Sequence, residues 1–366
     1  MKNIMKIIVG LLTSVSLITS SNAGELTVTG SAKASYNIIS GWSLDGAQAK
    51  GIGIANEIDF GATGELDSGI TWKYQVQFDP GATSTAGGGG IDDTRLEVTI
   101  PNIATVAMYV SEGGLDTDNA ASQSVYGRPT DIGLSSGIAD GPGIGSFNNI
   151  QIHSPKGLLP FDAVVKAAYA PGQSGSISSK DAAGAVNNLY GDAAEQYQIK
   201  LTPEAGLNVG ADYYKESGAG DVTNIVVQAF EAGSIFATYD IGAASFGVSA
   251  TKRTPLILST SATATTIGNA STAGGNADSV RIYESEKASV AYNINDSLSV
   301  SYEIEKSSRE LIAEAATNFD IKAQAVQAAY TMGGMTLALS HNKMDNRSYR
   351  EDRDSKQTLF GVSMAF

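Results

Sequence analysis

The clearest regular feature of this chain is a two-residue alternation of apolar and polar side chains, and it is cleanest from Ile70 to Asp79. In that stretch the even positions are apolar and the odd positions are polar or charged. Successive side chains of a strand point to opposite faces, whereas a helix repeats about every 3.6 residues, so the pattern predicts a strand with one apolar and one wet face. Its length matches the roughly 9–11 residues that a tilted strand needs to cross a bilayer. A strand of a soluble sandwich alternates in the same way, so this stretch alone leaves both interpretations open.

The same alternation recurs along the chain and predicts about sixteen strands. They cover residues 26–38, 54–66, 70–79, 93–100, 103–110, 149–154, 163–169, 195–201, 207–215, 234–241, 245–253, 287–294, 298–304, 320–331, 335–339 and 357–366. We assign residues 216–233 and 306–318 to loops. An even number of strands, joined alternately by short turns and long loops, predicts an all-β transmembrane antiparallel barrel with short periplasmic turns and long extracellular loops.

The first 23 residues have the features of a secretory signal peptide. Lys2 and Lys6 give a positive start, residues 7–18 form a short apolar run, and Ala23 ends a small-x-small cleavage site. The alternative is a single membrane anchor, but the apolar run is shorter than the ~20 residues of a spanning helix. We therefore expect an exported protein whose single domain, residues 24–366, is the barrel.

Composition narrows the classes of function. The chain has 24 Lys plus Arg against 38 Asp plus Glu, a net charge of −14, so nucleic acid is a poor partner. It has no cysteine, so an exported chain of this size must hold its fold without disulfides, and a closed hydrogen-bonded barrel is one way to do so. The mean hydropathy of −0.05 is compatible with a barrel, because every second residue of such a strand faces water.

The segment from Glu112 to Asn148 interrupts the rhythm. It is rich in glycine and has no sustained period, and it is longer than an ordinary connection in a compact domain. Long loops of this kind are usually functional or disordered. It contains the charged residues Glu112, Asp116, Asp118, Arg128, Asp131 and Asp140.

In its order of motifs the chain resembles the general diffusion porins of Gram-negative bacteria, particularly the alphaproteobacterial type. The resemblance covers essentially the whole mature chain. It rests on ANEIDFGATGELDSGITWKYQVQFD in the first hairpin, on DDTRLEVTIPNIATVAMYV before the single long loop, on YNINDSLSVSYEI, and on the terminal FGVSMAF. The last of these is the most specific, since Phe366 looks like the terminal aromatic signal read by the barrel-assembly machinery.

The resemblance implies a homotrimer, and a loop from about Glu112 to Phe147 that folds into the barrel and narrows it. In such porins, acids on that loop face basic groups on the wall across the constriction. The matching loop acids are Glu112, Asp116, Asp118, Asp131 and Asp140, and the basic wall candidates are Lys33, Lys73 and Arg95. The usual arginine cluster is thin here, and Glu57, Asp59 and Glu97 share the predicted inward face, which favours cations.

We therefore predict a water-filled outer-membrane channel for passive diffusion of small hydrophilic solutes, in contact with lipid and lipopolysaccharide. The alternatives are a substrate-selective channel, a non-conducting structural barrel or a secreted soluble β protein. An enzyme is disfavoured, because His153 and His341 have no recognisable serine motif beside them. The acidic stretches 116–119 and 351–354 offer oxygen ligands for calcium but lack the spacing of a calcium loop, so we expect no cofactor.

Overall fold

The computed structural model describes residues 24–41, 48–79, 90–110, 112–131, 143–171, 193–217, 225–259, 280–311 and 318–366. The signal peptide and Asp140 lie outside these ranges. The strands are β1 (Leu26–Gly41), β2 (Gln48–Glu65), β3 (Thr71–Asp79), β4 (Gly90–Ile100), β5 (Ala104–Val110), β6 (Asn149–His153), β7 (Val164–Pro171), β8 (Ala193–Glu204), β9 (Leu207–Ser217), β10 (Ile225–Gln228), β11 (Glu231–Ile241), β12 (Ala244–Thr254), β13 (Ile257–Ser259), β14 (Val280–Asn293), β15 (Leu298–Leu311), β16 (Ile321–Met332), β17 (Met335–Asp345) and β18 (Ser355–Ala365). Short 3-10 helices lie at Ile144–Ser146, Pro160–Asp162 and Arg347–Tyr349. None of the described helices is long and apolar enough to cross a bilayer.

Sixteen of these strands form one closed antiparallel barrel, in which each strand pairs with its neighbour in the chain. The barrel closes where β1 pairs with β18, in a register that runs from Ser31 opposite Ala365 to Gly41 opposite Ser355. Closure leaves the barrel without an open edge. The predicted all-β barrel of about sixteen strands is confirmed.

The outer surface is apolar where the sequence alternates. Ile235 and Val326, for example, are 61% and 60% exposed, although both are large hydrophobic side chains. Their neighbours in sequence, Ser234 and Gln327, are buried inside the barrel. The barrel is therefore the inverse of a soluble protein, with apolar groups outside and polar groups inside.

Two of the predicted loop assignments are wrong. Residues 225–228 form β10, which pairs with β13 in a two-stranded sheet outside the barrel order. Residues 306–311, assigned to a charged loop, continue β15 to Leu311. At residues 306–311 backbone pairing continues beyond the apolar band, where most side chains are polar, so the alternation that identifies a half-apolar strand disappears. Residues 225–228 read IVVQ, a short apolar run that does not alternate.

The two ends of the barrel differ in their connections. At one end the strands join through short turns such as 205–206 and 333–334, where Gly206 and Gly333 adopt φ values of +84° and +58°. Positive φ is readily reached only by glycine, which accounts for these residues in tight turns. We refer to this end as the short-turn end. The terminal Phe366 lies there too, and its backbone exchanges hydrogen bonds of 2.8 and 3.0 Å with Gly30.

An apolar cluster lies inside the barrel rather than on its outer wall. Leu115 and Ile144, from the segment between β5 and β6, pack against wall residues. The wall members are Ala168, Ala170, Ala194, Tyr214 and Phe230. This cluster holds the segment between β5 and β6 against the wall near both of its ends.

Candidate functional site

The inner surface of the barrel is polar, because every second side chain of a strand points into the lumen. On β15, Ser301, Glu303 and Glu305 are buried, whereas Tyr302 is exposed on the outer face. Uncharged polar side chains of other strands are buried inward in the same way: Gln151, Gln196, Gln198, Ser249, Ser289 and Gln327. They provide hydrogen-bonding groups for the long segment that follows β5.

That segment, which we call the inner segment, is described over residues 112–131 and 143–148, and it lies along the inner wall. Near its start, Gln151 of β6 donates a hydrogen bond of 2.5 Å to the Gly113 carbonyl. Two residues later, Gln198 of β8 donates a hydrogen bond of 2.6 Å to the Leu115 carbonyl. The segment therefore leaves β5 and turns inward at once.

Its path continues around the barrel. Ser289 of β14 donates to the Ala121 carbonyl at 2.6 Å, and Gln327 of β16 donates to the Gly127 carbonyl at 2.6 Å. Since β6 and β16 lie on opposite sides of the ring of sixteen strands, the inner segment follows about half of the inner wall.

The first anchor of the inner segment is a set of polar groups around Asp212 of β9. Asp212 Oδ1 accepts hydrogen bonds from the Thr117 backbone N–H at 2.7 Å and from the Thr117 hydroxyl at 2.6 Å. Gln196 Nε2 donates to Asp116 Oδ1 at 2.7 Å. Enclosure by the barrel raises the pKa of the Asp116 carboxyl, with a further contribution from the nearby charges of Asp118 and Asp212, while the Gln196 hydrogen bond opposes the shift.

The second anchor is ionic and centres on Lys287 of β14. Its ammonium donates to Asn119 Oδ1 at 2.6 Å and lies 3.4 Å from Asp118 Oδ2 and 3.8 Å from Glu305 Oε2. The side chains of Lys287 and Glu305 are 5% and 2% exposed. A buried charge is tolerated only when it is paired, so this lysine ties the inner segment to the wall.

Arg128 of the inner segment completes the ionic anchor. It pairs with Asp131 at 2.6 Å and lies 3.8 Å from Glu305. Thr130 donates to Glu305 Oε1 at 2.9 Å. The Glu305 carboxylate is thus shared between the segment's Arg128 and the wall's Lys287.

The third anchor is the Glu303 carboxylate, which accepts hydrogen bonds from hydroxyl groups of the inner segment. Glu303 Oε2 accepts hydrogen bonds from Ser122 and Ser124 of the inner segment. Beside it, Ser301 Oγ accepts the backbone N–H of Val125 at 3.0 Å. Together the three anchors provide hydrogen-bond and ion-pair partners for a segment that has no strand or α-helix in its described part.

Two wall glycines allow the inner segment to approach closely. A Cβ atom built on Gly247 of β12 would overlap the Ala121 carbonyl oxygen. A Cβ built on Gly361 of β18 would overlap the ring and hydroxyl of Tyr126. Neither glycine is required by its own backbone angles, so its role is to leave room for the segment.

The wall formed by β2, β3 and β4 lies outside this path and carries its own charged network. Arg95 of β4 lies 3.2 Å from Glu112 at the start of the inner segment and 4.0 Å from Glu97. Its guanidinium also donates to Gln75, which in turn donates to Asp59 at 2.8 Å. The Arg95 guanidinium thus lies beside two carboxylates and is linked to a third, that of Asp59, through Gln75.

The other two basic wall candidates, Lys73 and Lys33, also lie close to possible partners. Lys73 stands opposite Glu97 in the pairing of β3 with β4. Lys33 of β1 lies 4.0 Å from the centre of the Tyr126 ring, a cation–π contact with the inner segment. At Glu112, burial raises the carboxyl pKa, and Glu97 and Asp59 add to the shift against the opposing charges of Arg95 and Lys73.

The structure therefore separates the predicted site residues into two groups. Asp116, Asp118 and Asp131 belong to the anchors of the inner segment. The network around Arg95 contains Glu112, Glu97 and Asp59, with Lys73 beside it. Glu57 is exposed on β2, and no described contact links it to either group.

The residues that sequence reasoning missed are Asp212, Lys287, Glu303 and Glu305. A signal for them was available, because the alternation of β9, β14 and β15 places them on the face opposite the apolar residues. What the pattern could not indicate is that they contact a segment far away in the chain, 95 residues away for Asp212 with Thr117 and 169 for Lys287 with Asp118.

Each histidine contacts a polar, uncharged side chain in the described part of the chain. His153 contacts Gln151 at 2.8 Å, and His341 contacts Thr358 at 3.0 Å. Within the described ranges, no group of three or more His, Asp or Glu side chains is placed to hold a metal ion.

Comparison with known proteins shows that the fold of this chain is similar to solved structures, although no sequence match is found. No protein-family model matches the chain, and no curated protein sequence matches it. The anion-selective porin from Comamonas acidovorans superposes with a TM-score of 0.63 at 9% identity, covering 94% of this chain and 100% of that one. OmpF of Salmonella typhi, in complex with daunomycin, gives a TM-score of 0.63 at 13% identity, covering 94% and 98%. The trimer form of Vibrio cholerae OmpT, an outer membrane protein, gives 0.59 at 12% identity, covering 94% and 100%.

Proposed function

We propose that the protein is an outer-membrane porin, a water-filled channel through which small hydrophilic solutes and ions diffuse passively. The observation that carries this proposal is a closed sixteen-stranded barrel with an apolar outer face, a polar inner face and a segment laid along the inner wall. Polar side chains in the lumen can solvate a water column, and closure satisfies every strand edge within hydrocarbon. The similarity of fold to solved porins supports the same conclusion.

In this proposal the inner segment narrows the channel and sets its size limit. It is held at three places on the wall, so a passing solute meets a fixed rather than a mobile obstacle. The free lumen would lie between the inner segment and the wall of β2 to β4. There, Arg95 faces Glu112, Glu97 and Asp59, and the excess of carboxylates gives a weak preference for cations.

The same proposal includes a homotrimer in the outer membrane of a Gram-negative bacterium. Support for the trimer is the similarity of fold to the trimer form of Vibrio cholerae OmpT. The exposed apolar band would contact lipid. Above it, exposed ion pairs such as Lys252 with Glu284 (2.6 Å) and Lys306 with Asp320 (3.4 Å) would meet lipopolysaccharide head groups. The terminal Phe366, which continues the pairing of β18 with β1, would be read by the barrel-assembly machinery.

The test is electrical. The mature protein is reconstituted in a planar bilayer, and the conductance and the reversal potential are measured across a salt gradient. We expect large ohmic steps with a mildly cation-selective reversal potential, which weakens in a Glu97→Gln, Glu112→Gln variant. Correctly folded protein that gives no conductance would overturn the channel in favour of a structural barrel.

A further inference from the structure

A cavity of about 410 Å³ lies inside the barrel beneath the inner segment. Lys200 and Thr202 of β8, Asn208 of β9 and Thr238 of β11 line it from the wall, and Ala120 lines it from the segment. Its volume falls in the range of roughly 300–1,000 Å³ that is typical of small-molecule sites. We call it the lower cavity.

The lower cavity lies between the inner segment and the short-turn end of the barrel. Gln198 marks the level of the segment, because it donates to the Leu115 carbonyl. Lys200 is two residues farther along β8, about 6–7 Å at the rise of a strand, in the direction of the turn that starts β9. A solute that enters at the end opposite the short turns and passes the inner segment would reach Lys200 next.

The wall beside the lower cavity is basic. Lys166 of β7 pairs directly with His153 of β6 and with Gln198 of β8, which places it diagonally next to Lys200. Among the residues that the structure describes, no carboxylate forms an ion pair with Lys166 or Lys200. Lys200 is exposed to the lumen and lies 5.8 Å from the centre of the Phe236 ring. These lysines thus differ from Lys287, whose charge is neutralised by the anchor.

The rest of the lining consists of neutral hydrogen-bonding groups. Thr202 Oγ1 donates to Asn208 Oδ1 at 3.0 Å, and Asn208 Nδ2 lies 3.5 Å from Thr238 Oγ1. The single carboxylate that lines the cavity, Asp162, is paired with Lys156 at 3.6 Å. Hydroxyl and amide groups of this kind bind the hydroxyls of a polyol, and unpaired ammonium groups bind an oxyanion.

We propose that the lower cavity is a binding site for small polyhydroxylated solutes that carry a carboxylate or a phosphate group. The anionic group would lie at Lys200 and Lys166, and the hydroxyl groups would contact Thr202, Asn208 and Thr238. The acid-rich network at Arg95 and this basic site then act in series along the same lumen. The inference rests on the proposed channel function, because the solute reaches the cavity through the lumen.

The experiment measures ion current through single channels while a solute is added. Glucose 6-phosphate and gluconate separate a phosphate from a carboxylate, and glucose is the uncharged control. We expect transient interruptions of the current with the anionic solutes and a lower affinity for glucose. A Lys166→Gln, Lys200→Gln variant should weaken the anionic block by about tenfold or more, because two charge-assisted contacts are lost.

Matched controls fix the location of the effect. Lys306→Gln removes an outward-facing lysine of β15 and should leave the block unchanged. Thr202→Val should weaken the block by gluconate, because one hydroxyl contact is lost. Channels that conduct but are not interrupted by either anion would overturn the site and leave the porin standing. A block that survives the double variant would also overturn the site, whereas absence of conductance would overturn the proposed function itself.

Discussion

The barrel contains two charged networks that use the same residue types in different surroundings. In the anchor around Lys287, the lysine and Glu305 are 5% and 2% exposed. In the network around Arg95, the guanidinium and Glu112 are 23% and 26% exposed. Buried charges depend strongly on their partners, whereas solvated pairs contribute about 1 kcal/mol or less to stability.

The comparison indicates a division of roles along the wall. Charges between the inner segment and the wall of β14 and β15 fix the position of the segment. Charges on the open wall of β2 to β4 remain hydrated, so they can act on permeating ions. Substitutions in the first network should therefore change stability, and those in the second should change permeation.

The largest effect is expected at Lys287. Lys287→Met leaves Glu305 and Asp118 without their ammonium partner, and losing one member of a buried pair costs about 3–5 kcal/mol. Urea unfolding from lipid vesicles, followed by the fluorescence of the protein's two tryptophans, should show a lower midpoint. Single-channel current should also become noisier as the inner segment detaches. Lys306→Met, an exposed lysine on the adjacent strand β15, is the control; equal effects in both variants would contradict the anchor.

The next largest effect is expected at Gly247. Gly247→Ala places a methyl group against the Ala121 carbonyl, and overpacking of this kind typically costs about 1–3 kcal/mol. Urea unfolding should report the loss, and single-channel conductance should change because the inner segment must shift. Gly53→Ala on β2 is the matched control, since its new Cβ would meet only Ser35 Oγ at 3.9 Å. Equal changes in unfolding and conductance in the two variants would contradict the role of Gly247 in leaving room for the inner segment.

On the open wall, the expected effect is on selectivity rather than stability. Arg95→Gln removes the main cation from the network and should increase the cation preference, while Glu97→Gln should decrease it. The reversal potential across a salt gradient measures both changes. The free energy of unfolding in urea should change by less than about 1 kcal/mol in either variant. Parallel shifts of the reversal potential in the two variants would contradict the assignment of this wall to the permeation path.

The smallest effect concerns pH. The pKa of Glu112 is raised above its ordinary value of 4.5, chiefly by burial, so this carboxyl takes up a proton in the folded protein at a higher pH than in the unfolded chain. Lowering the pH through that raised pKa should therefore weaken cation selectivity and, by linkage, should stabilise rather than destabilise the fold at this residue. Reversal potentials over a pH series test this. Glu112→Gln should flatten the part of the curve that lies above pH 4.5, and an unchanged curve would show that this carboxyl does not titrate in the lumen.

The limits of sequence reasoning are visible in particular elements. Alternation located β3 and β15 because each has an apolar outer face over its central part. It failed at residues 306–311, where backbone pairing continues but most side chains are polar, and at residues 225–228, where the run IVVQ is apolar without alternation. A two-residue period reports an environment that differs between the two faces, and it is silent where successive residues are alike.

The candidate site divides in the same way. The sequence by itself determined the barrel, the inward direction of Arg95, Glu97 and Asp59, and the unusual length of the segment after β5, because these properties follow from local alternation and chain length. Only the tertiary structure decided that Asp118 contacts Lys287, that Ala121 lies against Gly247, and that Lys200 lines a cavity with Lys166 diagonally next to it on the wall. Such contacts join residues far apart in the chain, and they depend on which strands closure of the barrel brings to the same part of the wall.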